Sequence, residues 1–159
     1  MAIQRIAVVG AGQMGSGIAQ VAAQSGYTVH LYDVDAKSIA AGMARIRGNL
    51  EKGVEKGKVT PADRDATLSR LEGVSDMKAG AADADLVVEA VPERMDLKRR
   101  IFAELDASAP AHAILASNTS SLSITEIGDA TLRPDKVIRF HSFYPASTMP
   151  LIASDQGAA

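Results

Sequence analysis

Apolar residues in this chain follow two spacings, short uninterrupted runs and helical stripes, which alternate from the N-terminus. An apolar run that begins at Ile3 ends at Gly10, as is typical of a buried strand. From Gln13 to Ser25 apolar side chains recur every three or four residues, as on one face of a helix, and a second strand is predicted from Thr28 to Asp33. Strand, helix and strand in this order predict a βαβ unit with two parallel strands.

The alternation continues through the rest of the chain. Further helices are predicted over 35–58, 60–70, 93–109 and 124–127, and further strands over 71–75, 85–91, 112–116 and 136–140. This order predicts an α/β fold of the Rossmann type, with a doubly wound, mostly parallel sheet and a helical arm inserted after the second strand. We expect one domain over residues 1–153 and a short polar, flexible tail over 154–159.

Composition narrows the class of function. The 159 residues carry a formal net charge of −2, which argues against the basic footprint of a nucleic-acid or anionic-membrane binder. No apolar run approaches the ~20 residues of a membrane span. We therefore expect neither a nucleic acid nor a membrane as partner. The chain contains no cysteine, which excludes a disulfide scaffold and fits the cytoplasmic location that we expect. Histidines and carboxylates do not share metal-ligand spacing, so no metal is expected.

A glycine motif lies between the first predicted strand and the first predicted helix, Gly10-Ala-Gly12-Gln-Met-Gly15. Gly10 permits a tight turn, Gly12 lets the backbone approach a pyrophosphate, and Gly15 lets the helix pack closely on the strand. Gln13 and Met14 begin the helix, whose N-terminus favours a bound anion. The motif is weak by itself, but its place in a βαβ unit predicts a dinucleotide site.

An acidic residue follows where such a loop requires one. Asp33 ends the second predicted strand. A carboxylate there accepts hydrogen bonds from the adenosine ribose and repels a 2′-phosphate, so NAD is predicted as the cofactor in preference to NADP.

Polar residues also follow the later strands, at the sheet edge where ligands of doubly wound folds bind. They are Glu93, Lys98, Asn118 and Ser120. Each also has a plain structural interpretation, in the first turn of a helix, on a solvated helix face or in a turn. His141 ends the last predicted strand beside aromatic residues, and histidine is the usual carrier of a proton near neutral pH.

Four segments carry a resemblance, in order along the chain: Gly10–Ala19, Asp85–Glu93, Ala116–Leu122 and His141–Pro145. Together they resemble the NAD-binding domain of the 3-hydroxyacyl-CoA dehydrogenases, including the 3-hydroxybutyryl-CoA enzymes. The resemblance implies oxidation of a 3-hydroxyacyl thioester to a 3-oxoacyl thioester with hydride passing to NAD. An acyl-CoA is then the expected substrate, and fatty acid metabolism the expected setting.

The resemblance also implies roles for matching residues. The implied residues are His141, Ser120 and Asn118 for catalysis; Ala90, Glu93, Lys98 and Asn118 for the cofactor, besides the glycine motif and Asp33; and Asn49, Lys56 and Ser120 for the CoA substrate. His141 would be the general base, while Ser120 and Asn118 would hold the reacting oxygen and the nicotinamide end.

Three features depart from the family pattern. The family sequence His-Phe-Phe-Asn-Pro is His141-Ser-Phe-Tyr-Pro145 here, and the glutamate that orients the histidine is replaced by Ala153. The family's helical C-terminal domain, which forms its dimer, has no counterpart in the sequence. We therefore expect turnover at least ~10³-fold slower than that of an intact family member. We also expect a homo-oligomer that associates through the region near 136–153.

Two alternatives remain open beside this enzyme. One is a related NAD-dependent dehydrogenase that acts on a gulonate, carnitine or diketone type of substrate. The other is a non-catalytic NAD-binding module.

Overall fold

The computed structural model describes residues 2–141 and 152–156, with side chains for residues 2–140. Its strands are β1 (Arg5–Val9), β2 (Thr28–Tyr32), β3 (Leu71–Val74), β4 (Leu86–Glu89), β5 (Ile114–Ser117), β6 (Val137–His141) and β7 (Ile152–Gln156). Its helices are α1 (Gln13–Gln24), α2 (Ala36–Glu55), α3 (Pro61–Ser69), α4 (Met77–Ala81), α5 (Met95–Ser108) and α6 (Ile124–Gly128). A 3-10 helix covers Pro134–Lys136.

All seven strands form one sheet in the order β3-β2-β1-β4-β5-β6-β7. Strands β1 to β6 run parallel, and β7 pairs antiparallel with β6. The predicted doubly wound, mostly parallel sheet is therefore confirmed, and α2 and α3 form the arm expected after the second strand.

Two elements were not predicted from the sequence. Helix α4 has only five residues, too few for a helical period to show. Strand β7 includes Ser154, Asp155 and Gln156, which the sequence analysis assigns to the tail. Polar residues are typical of a tail, but an edge strand accommodates them because its backbone pairs with a neighbouring strand, here β6, on one side only.

The core lies in two aliphatic layers, one on each face of the sheet. Alternate residues of β1 divide between them. Ile6 and Val8 belong to the layer that includes α1 and α2, whereas Ala7 and Val9 belong to the layer that includes α5 and α6. Both faces of the sheet are thus covered by helices, and the strand ends are left as the places where polar chemistry can gather.

The amino ends of the parallel strands are joined by Asp85, which precedes β4. Its carboxylate accepts hydrogen bonds from the backbone amides of Gln4 and Arg5 at 2.9 and 3.0 Å, and pairs with Nε2 of His112 at 2.8 Å. The His112 hydrogen bond and then the two amides lower the pKa of Asp85 to about 2. These contacts tie the starts of β1, β4 and β5 together.

Arg133 makes a second connection at this amino edge. Its guanidinium donates to Oδ1 of Asp106 at 2.6 Å and to the carbonyl oxygens of Pro110 and Ala113 at 2.6 and 3.2 Å. It also donates to the backbone carbonyls of Asp106, in the last turn of α5, and of Ala109, the C-cap residue of that helix. The guanidinium thereby satisfies acceptors that the end of a helix leaves without partners.

In the described part of the chain no helix is both long and apolar enough to cross a bilayer. The same residues contain no group of three or more metal-ligating side chains placed to hold an ion.

Candidate cofactor site

The glycine motif forms the turn between β1 and α1, and its three glycines face different surroundings. Gly10 has a φ of +110°, and a Cβ there would lie 2.5 Å from the carbonyl oxygen of Ala90. A Cβ on Gly15 would collide with the carbonyl oxygen of Gly10. A Cβ on Gly12 would meet nothing within 4 Å. The fold itself therefore requires glycine at 10 and 15, whereas Gly12 leaves open space at the start of α1.

That open space fits the pyrophosphate of a dinucleotide. Gly12 is the N-cap residue of α1 and has no side chain to occupy the helix end, and the first turn, which starts with Gln13 and Met14, carries no acidic residue. The positive end of the helix is thus directed at a place where a ligand can approach the backbone.

Asp33 lies directly beside the motif. One carboxylate oxygen accepts a hydrogen bond from the amide of Ala11 at 2.9 Å, and the other accepts one from the amide of Asp35 at 3.1 Å. A carboxylate has about four acceptor positions, so this side chain can hold the loop and still accept from ribose hydroxyls.

A cleft of about 580 Å³ opens next to Asp33, between the ends of β2 and β4 and the side of α5. Gly10, Asp33 and Ala90 line its inner wall, and Leu97 and Glu104 of α5 line its outer wall. Burial, followed by the charges of Glu104, Asp33 and Asp76, raises the pKa of Tyr32, which also lines the cleft. Arg100 also lines the cleft, so its wall carries both signs of charge. The expected exclusion of a 2′-phosphate therefore depends on Asp33 itself.

A buried ionic cluster lies at the end of β4. Lys98 and Glu89 are fully buried, and the Nζ of Lys98 lies 2.6 Å from Oε2 of Glu89 and 3.3 Å from Oε1 of Glu93. Glu89 also accepts hydrogen bonds from the hydroxyl of Ser117 at 2.5 Å and the amide of Val91 at 2.7 Å. The interpretation of Lys98 as a solvated helix residue is wrong, because its ammonium group is enclosed by carboxylates and a carbonyl.

Glu93 connects this cluster to the loop that follows β5. Its Oε2 accepts from the hydroxyl of Thr119 at 2.8 Å, from the amide of Ser120 at 3.0 Å and from the amide and hydroxyl of Ser121 at 3.3 and 3.1 Å. Burial acts to raise the pKa of Glu93, but the hydrogen bonds from Thr119, Ser120 and Ser121 and the charge of Lys98 outweigh it and lower the pKa to about 2. The carboxylate is therefore ionised throughout the physiological range.

The structure brings four of the predicted residues together at this edge, namely Glu93, Lys98, Asn118 and Ser120. The backbone amide of Asn118 donates to the backbone carbonyl of Glu89 at 2.8 Å, which extends the pairing of β4 and β5 by one residue. Asn118 is half-buried and Ser120 is exposed, so both lie where a ligand at the strand ends can reach them.

The two residues implied for CoA lie elsewhere, on α2. The side-chain amide of Asn49 donates to Oε1 of Gln20 on α1 at 3.1 Å, and Lys56 is the exposed C-cap residue of α2. Lys56 follows Asn49 by seven positions, so both lie on one side of the helix, about two turns apart. Neither residue belongs to the buried ionic cluster of Glu89, Glu93 and Lys98.

His141 ends β6, and its side chain lies outside the described residues, as do residues 142–151. The backbone of β6 pairs His141 with Ile152 and Phe140 with Ala153. The position where the resemblance expects a glutamate is therefore adjacent in the sheet to the end of β6.

Three residues that the sequence analysis did not select complete the site. Glu89 is a charged residue at the end of an apolar run, which is a detectable signal of a buried polar role. Thr119 is 2% exposed and bonds Glu93. Arg139 donates to the carbonyls of Thr119 and Leu122, both at 3.0 Å, and no local pattern indicates this.

A parallel Rossmann sheet, a glycine turn with open space at Gly12 and an acidic residue at the end of β2 define a dinucleotide-binding domain of the dehydrogenase class. Residues 5–153 match the family model described as 3-hydroxyacyl-CoA dehydrogenase, NAD binding domain. The chain belongs to this family, and NAD is the cofactor of the domain that it matches.

Relatives and solved structures agree with the family. A probable 3-hydroxybutyryl-CoA dehydrogenase of Bacillus subtilis is 45% identical over the whole chain, which covers 55% of that relative. The structure of a 3-hydroxybutyryl-CoA dehydrogenase from Escherichia coli matches with a TM-score of 0.92 and 40% identity, over 100% of this chain and 34% of that one. A diketoreductase structure matches with a TM-score of 0.87 and 30% identity, over 99% of this chain and 57% of that one. The chain spans about half the length or less of the curated relatives it matches, from 55% of the Bacillus subtilis protein to 21% of a Brassica napus multifunctional protein.

Proposed function

We propose that the protein to which this chain belongs is an NAD-dependent oxidoreductase that interconverts 3-hydroxyacyl-CoA and 3-oxoacyl-CoA. The observation that carries the proposal is the loop after β5 within a domain of the NAD-binding family. There the backbone amide of Asn118 donates to the carbonyl of Glu89, and that of Ser120 donates to the carboxylate of Glu93. The names of the relatives support the acyl-CoA substrate class.

In the proposed site, Asp33 accepts hydrogen bonds from the adenosine ribose, and the backbone at Gly12 with the N-terminus of α1, where Gln13 and Met14 lie, binds the pyrophosphate. Ala90, which lines the cleft, borders the cofactor. NAD supplies the position that accepts the hydride from the C3 carbon of the substrate. Glu93 and Lys98 act near the nicotinamide ribose mainly by fixing the loop after β5.

His141 takes the proton of the substrate hydroxyl as the C–O single bond becomes a carbonyl. Asn118 and Ser120 hold the reacting oxygen and the nicotinamide end of the cofactor. The charge that develops on the oxygen is thereby met by fixed hydrogen-bond donors. In the reverse direction His141 returns the proton. Asn49 and Lys56, on one side of α2, contact the CoA portion.

The test measures binding and turnover separately. The 159-residue chain is titrated with NADH and then incubated with NADH and acetoacetyl-CoA, and loss of NADH absorbance is followed. We expect binding together with turnover at least ~10³-fold below that of an intact family member, because Ala153 cannot orient a histidine. His141→Asn serves as the control, and it should abolish the residual turnover while NADH binding stays unchanged.

Two results would contradict the proposal. Turnover that is unchanged in His141→Asn would show that this residue is not the base. Binding of NADH with no turnover of any acyl-CoA, even after the chain is extended to the length of its relatives, would favour the non-catalytic module.

A diketone-type substrate is the second candidate, favoured by the likeness to the diketoreductase structure. A simple dicarbonyl compound lacks the CoA portion, so its reduction would not respond to changes on α2. Comparing acetoacetyl-CoA with a free diketone, in wild type and in Lys56→Gln, distinguishes the two. A lower KM for acetoacetyl-CoA that rises in Lys56→Gln supports the acyl-CoA enzyme.

Two further properties stay predictions. Self-association through the region near 136–153 would appear as a mass above that of one chain in light scattering. A cytoplasmic location is tested by fractionation of the source cells.

A further inference from the structure

The loop over residues 118–122, here called the β5 loop, is held by two groups of opposite charge. Its amide and hydroxyl donors converge on a single carboxylate oxygen of Glu93. Two of its carbonyl oxygens accept from the guanidinium of Arg139 instead. The anion thus binds the donors of the loop and the cation binds its acceptors.

Arg139 is placed for this contact by the register of the sheet. Ser117, the last residue of β5, pairs with Arg139 on β6. The side chain therefore starts beside the point where the β5 loop leaves the sheet, and its NH1 and NH2 reach Thr119 and Leu122 at 3.0 Å each. A planar guanidinium can donate in two directions at once, which the ammonium group of a lysine does less well.

The opposite side of the β5 loop rests on groups that cannot move freely. Glu93 is held by Lys98, and Lys98 is held by the fully buried Glu89. Glu89 in turn accepts from the hydroxyl of Ser117, the residue before the loop. Between these buried contacts and Arg139 the loop has a defined path, along which Asn118 and Ser120 are placed.

We propose that Arg139 is a positioning residue for the nicotinamide end of the cofactor, acting through the β5 loop. The inference rests on the proposed function, in which Asn118 and Ser120 meet that end. The guanidinium of Arg139 binds the carbonyls of Thr119 and Leu122 and acts through them. Its removal should therefore leave the adenosine end of the site intact and loosen only the nicotinamide end.

ADP-ribose separates the two ends, because it carries the adenosine, pyrophosphate and second ribose of NADH without the nicotinamide. Dissociation constants for ADP-ribose and NADH are measured with the 159-residue chain, with Arg139→Met and with Arg139→Lys. We expect Arg139→Met to reduce the preference for NADH over ADP-ribose about tenfold, with Arg139→Lys intermediate. The dissociation constant of ADP-ribose should change by much less than tenfold. The urea midpoint of the ADP-ribose complex should stay close to that of the wild type.

A matched control removes a guanidinium with a similar contact. Arg99 on α5 donates to the carbonyl of Glu126 at 2.9 Å, but it does not hold the β5 loop. Arg99→Met should leave the preference for NADH unchanged. The fluorescence of bound NADH gives a second readout, since a displaced nicotinamide environment changes its emission in the Arg139 variants and not in Arg99→Met.

The outcomes separate this inference from the function on which it rests. A wild-type preference for NADH that persists in Arg139→Met and Arg139→Lys overturns the inference alone. A wild-type chain that binds ADP-ribose and NADH equally contradicts both, because no nicotinamide contact then exists. If Arg139→Met does not fold, the test uses Arg139→Lys. A preference for NADH over ADP-ribose equal to that of the wild type then overturns the inference, and a reduced preference supports it.

Discussion

The two ends of the parallel strands use charged side chains in different ways. At the amino edge, Asp85 and Arg133 bind backbone groups, namely the amides that begin β1 and the carbonyls that end α5. At the carboxyl edge, Glu89, Lys98 and Glu93 bind one another and a loop that carries exposed polar side chains. Among the described residues, every buried side-chain nitrogen and oxygen has a hydrogen-bond partner. The two ends differ in what their charged groups hold, which is backbone at the amino edge and a loop with exposed polar side chains at the carboxyl edge.

The difference shows what a buried charge contributes in each place. Arg133 donates to carbonyl oxygens at the end of α5 and in the turn to β5, so it stabilises the connection between this helix and the next strand. A buried lysine between two carboxylates adds little net stability, because desolvation offsets most of the attraction. Its value lies in holding Glu93, and through it the β5 loop, in one arrangement.

The largest effect is expected from Lys98→Met. The change leaves Glu89 fully buried beside no cation, which costs about 3–5 kcal/mol of the free energy of unfolding. Urea unfolding measures it. The double variant Glu89→Gln with Lys98→Met should recover much of the loss, since no unpaired charge remains. Additive losses in the double variant would show that the two residues are not coupled.

Arg133→Met should sharpen the contrast from the amino edge. It removes several hydrogen bonds to half-buried groups and leaves Asp106 without its cation, so we expect a loss of roughly 2–3 kcal/mol in the free energy of unfolding. At a temperature where the variant is folded, its affinity for NADH should equal that of the wild type. A weakened NADH affinity in the folded variant would mean that the two edges are not independent.

Acid should lower the free energy of unfolding through a carboxylate at each edge, Glu93 at the carboxyl edge and Asp85 at the amino edge. The folded-state pKa of Glu93 is lowered from 4.5 to about 2, and that of Asp85 from 3.8 to about 2. Each carboxylate therefore contributes stability that is present above its unfolded pKa and lost as the pH falls through about 2. Urea midpoints measured across this window should depend less on pH in Glu93→Gln and in Asp85→Asn than in wild type.

The same two variants differ at pH 7 in their affinity for NADH. Glu93→Gln should weaken it, because the β5 loop loses its anion, and Asp85→Asn should leave it unchanged. The exposed carboxylate of Asp129 provides the control, since Asp129→Asn should alter neither property. Equal NADH affinity in Glu93→Gln and wild type would contradict the role of Glu93 in holding the loop.

Much of the carboxyl edge follows from local sequence. The turn at Gly10 and the acidic end of β2 at Asp33 depend on residues close together in the chain, and strand ends are visible as breaks in apolar runs. For that reason the sheet, the glycine turn and the polar positions at 93, 98, 118 and 120 are all predicted from the pattern alone. Their chemical class is supplied by the resemblance to a family.

The remainder depends on contacts between distant segments. The burial of Lys98 requires Glu89 across a turn, and the contact of Arg139 with Thr119 requires the register of β5 and β6. Strand β7 is specified by pairing with β6 and not by its own polar sequence. None of these has a local signal, so residues such as Arg139 become visible only in the folded chain.

Calorimetric titration of NAD and NADP tests most directly the proposed binding of NAD at the carboxyl edge through Asp33. We predict binding of one NAD per chain, weaker binding of NADP, and a loss of NAD affinity on the order of 1.5–3 kcal/mol in Asp33→Ala, as expected for a charge-assisted hydrogen bond. Discrimination against NADP should fall in the same variant. Equal affinity of the wild-type chain for the two cofactors, or unchanged NAD binding in Asp33→Ala, would contradict the proposed role of Asp33.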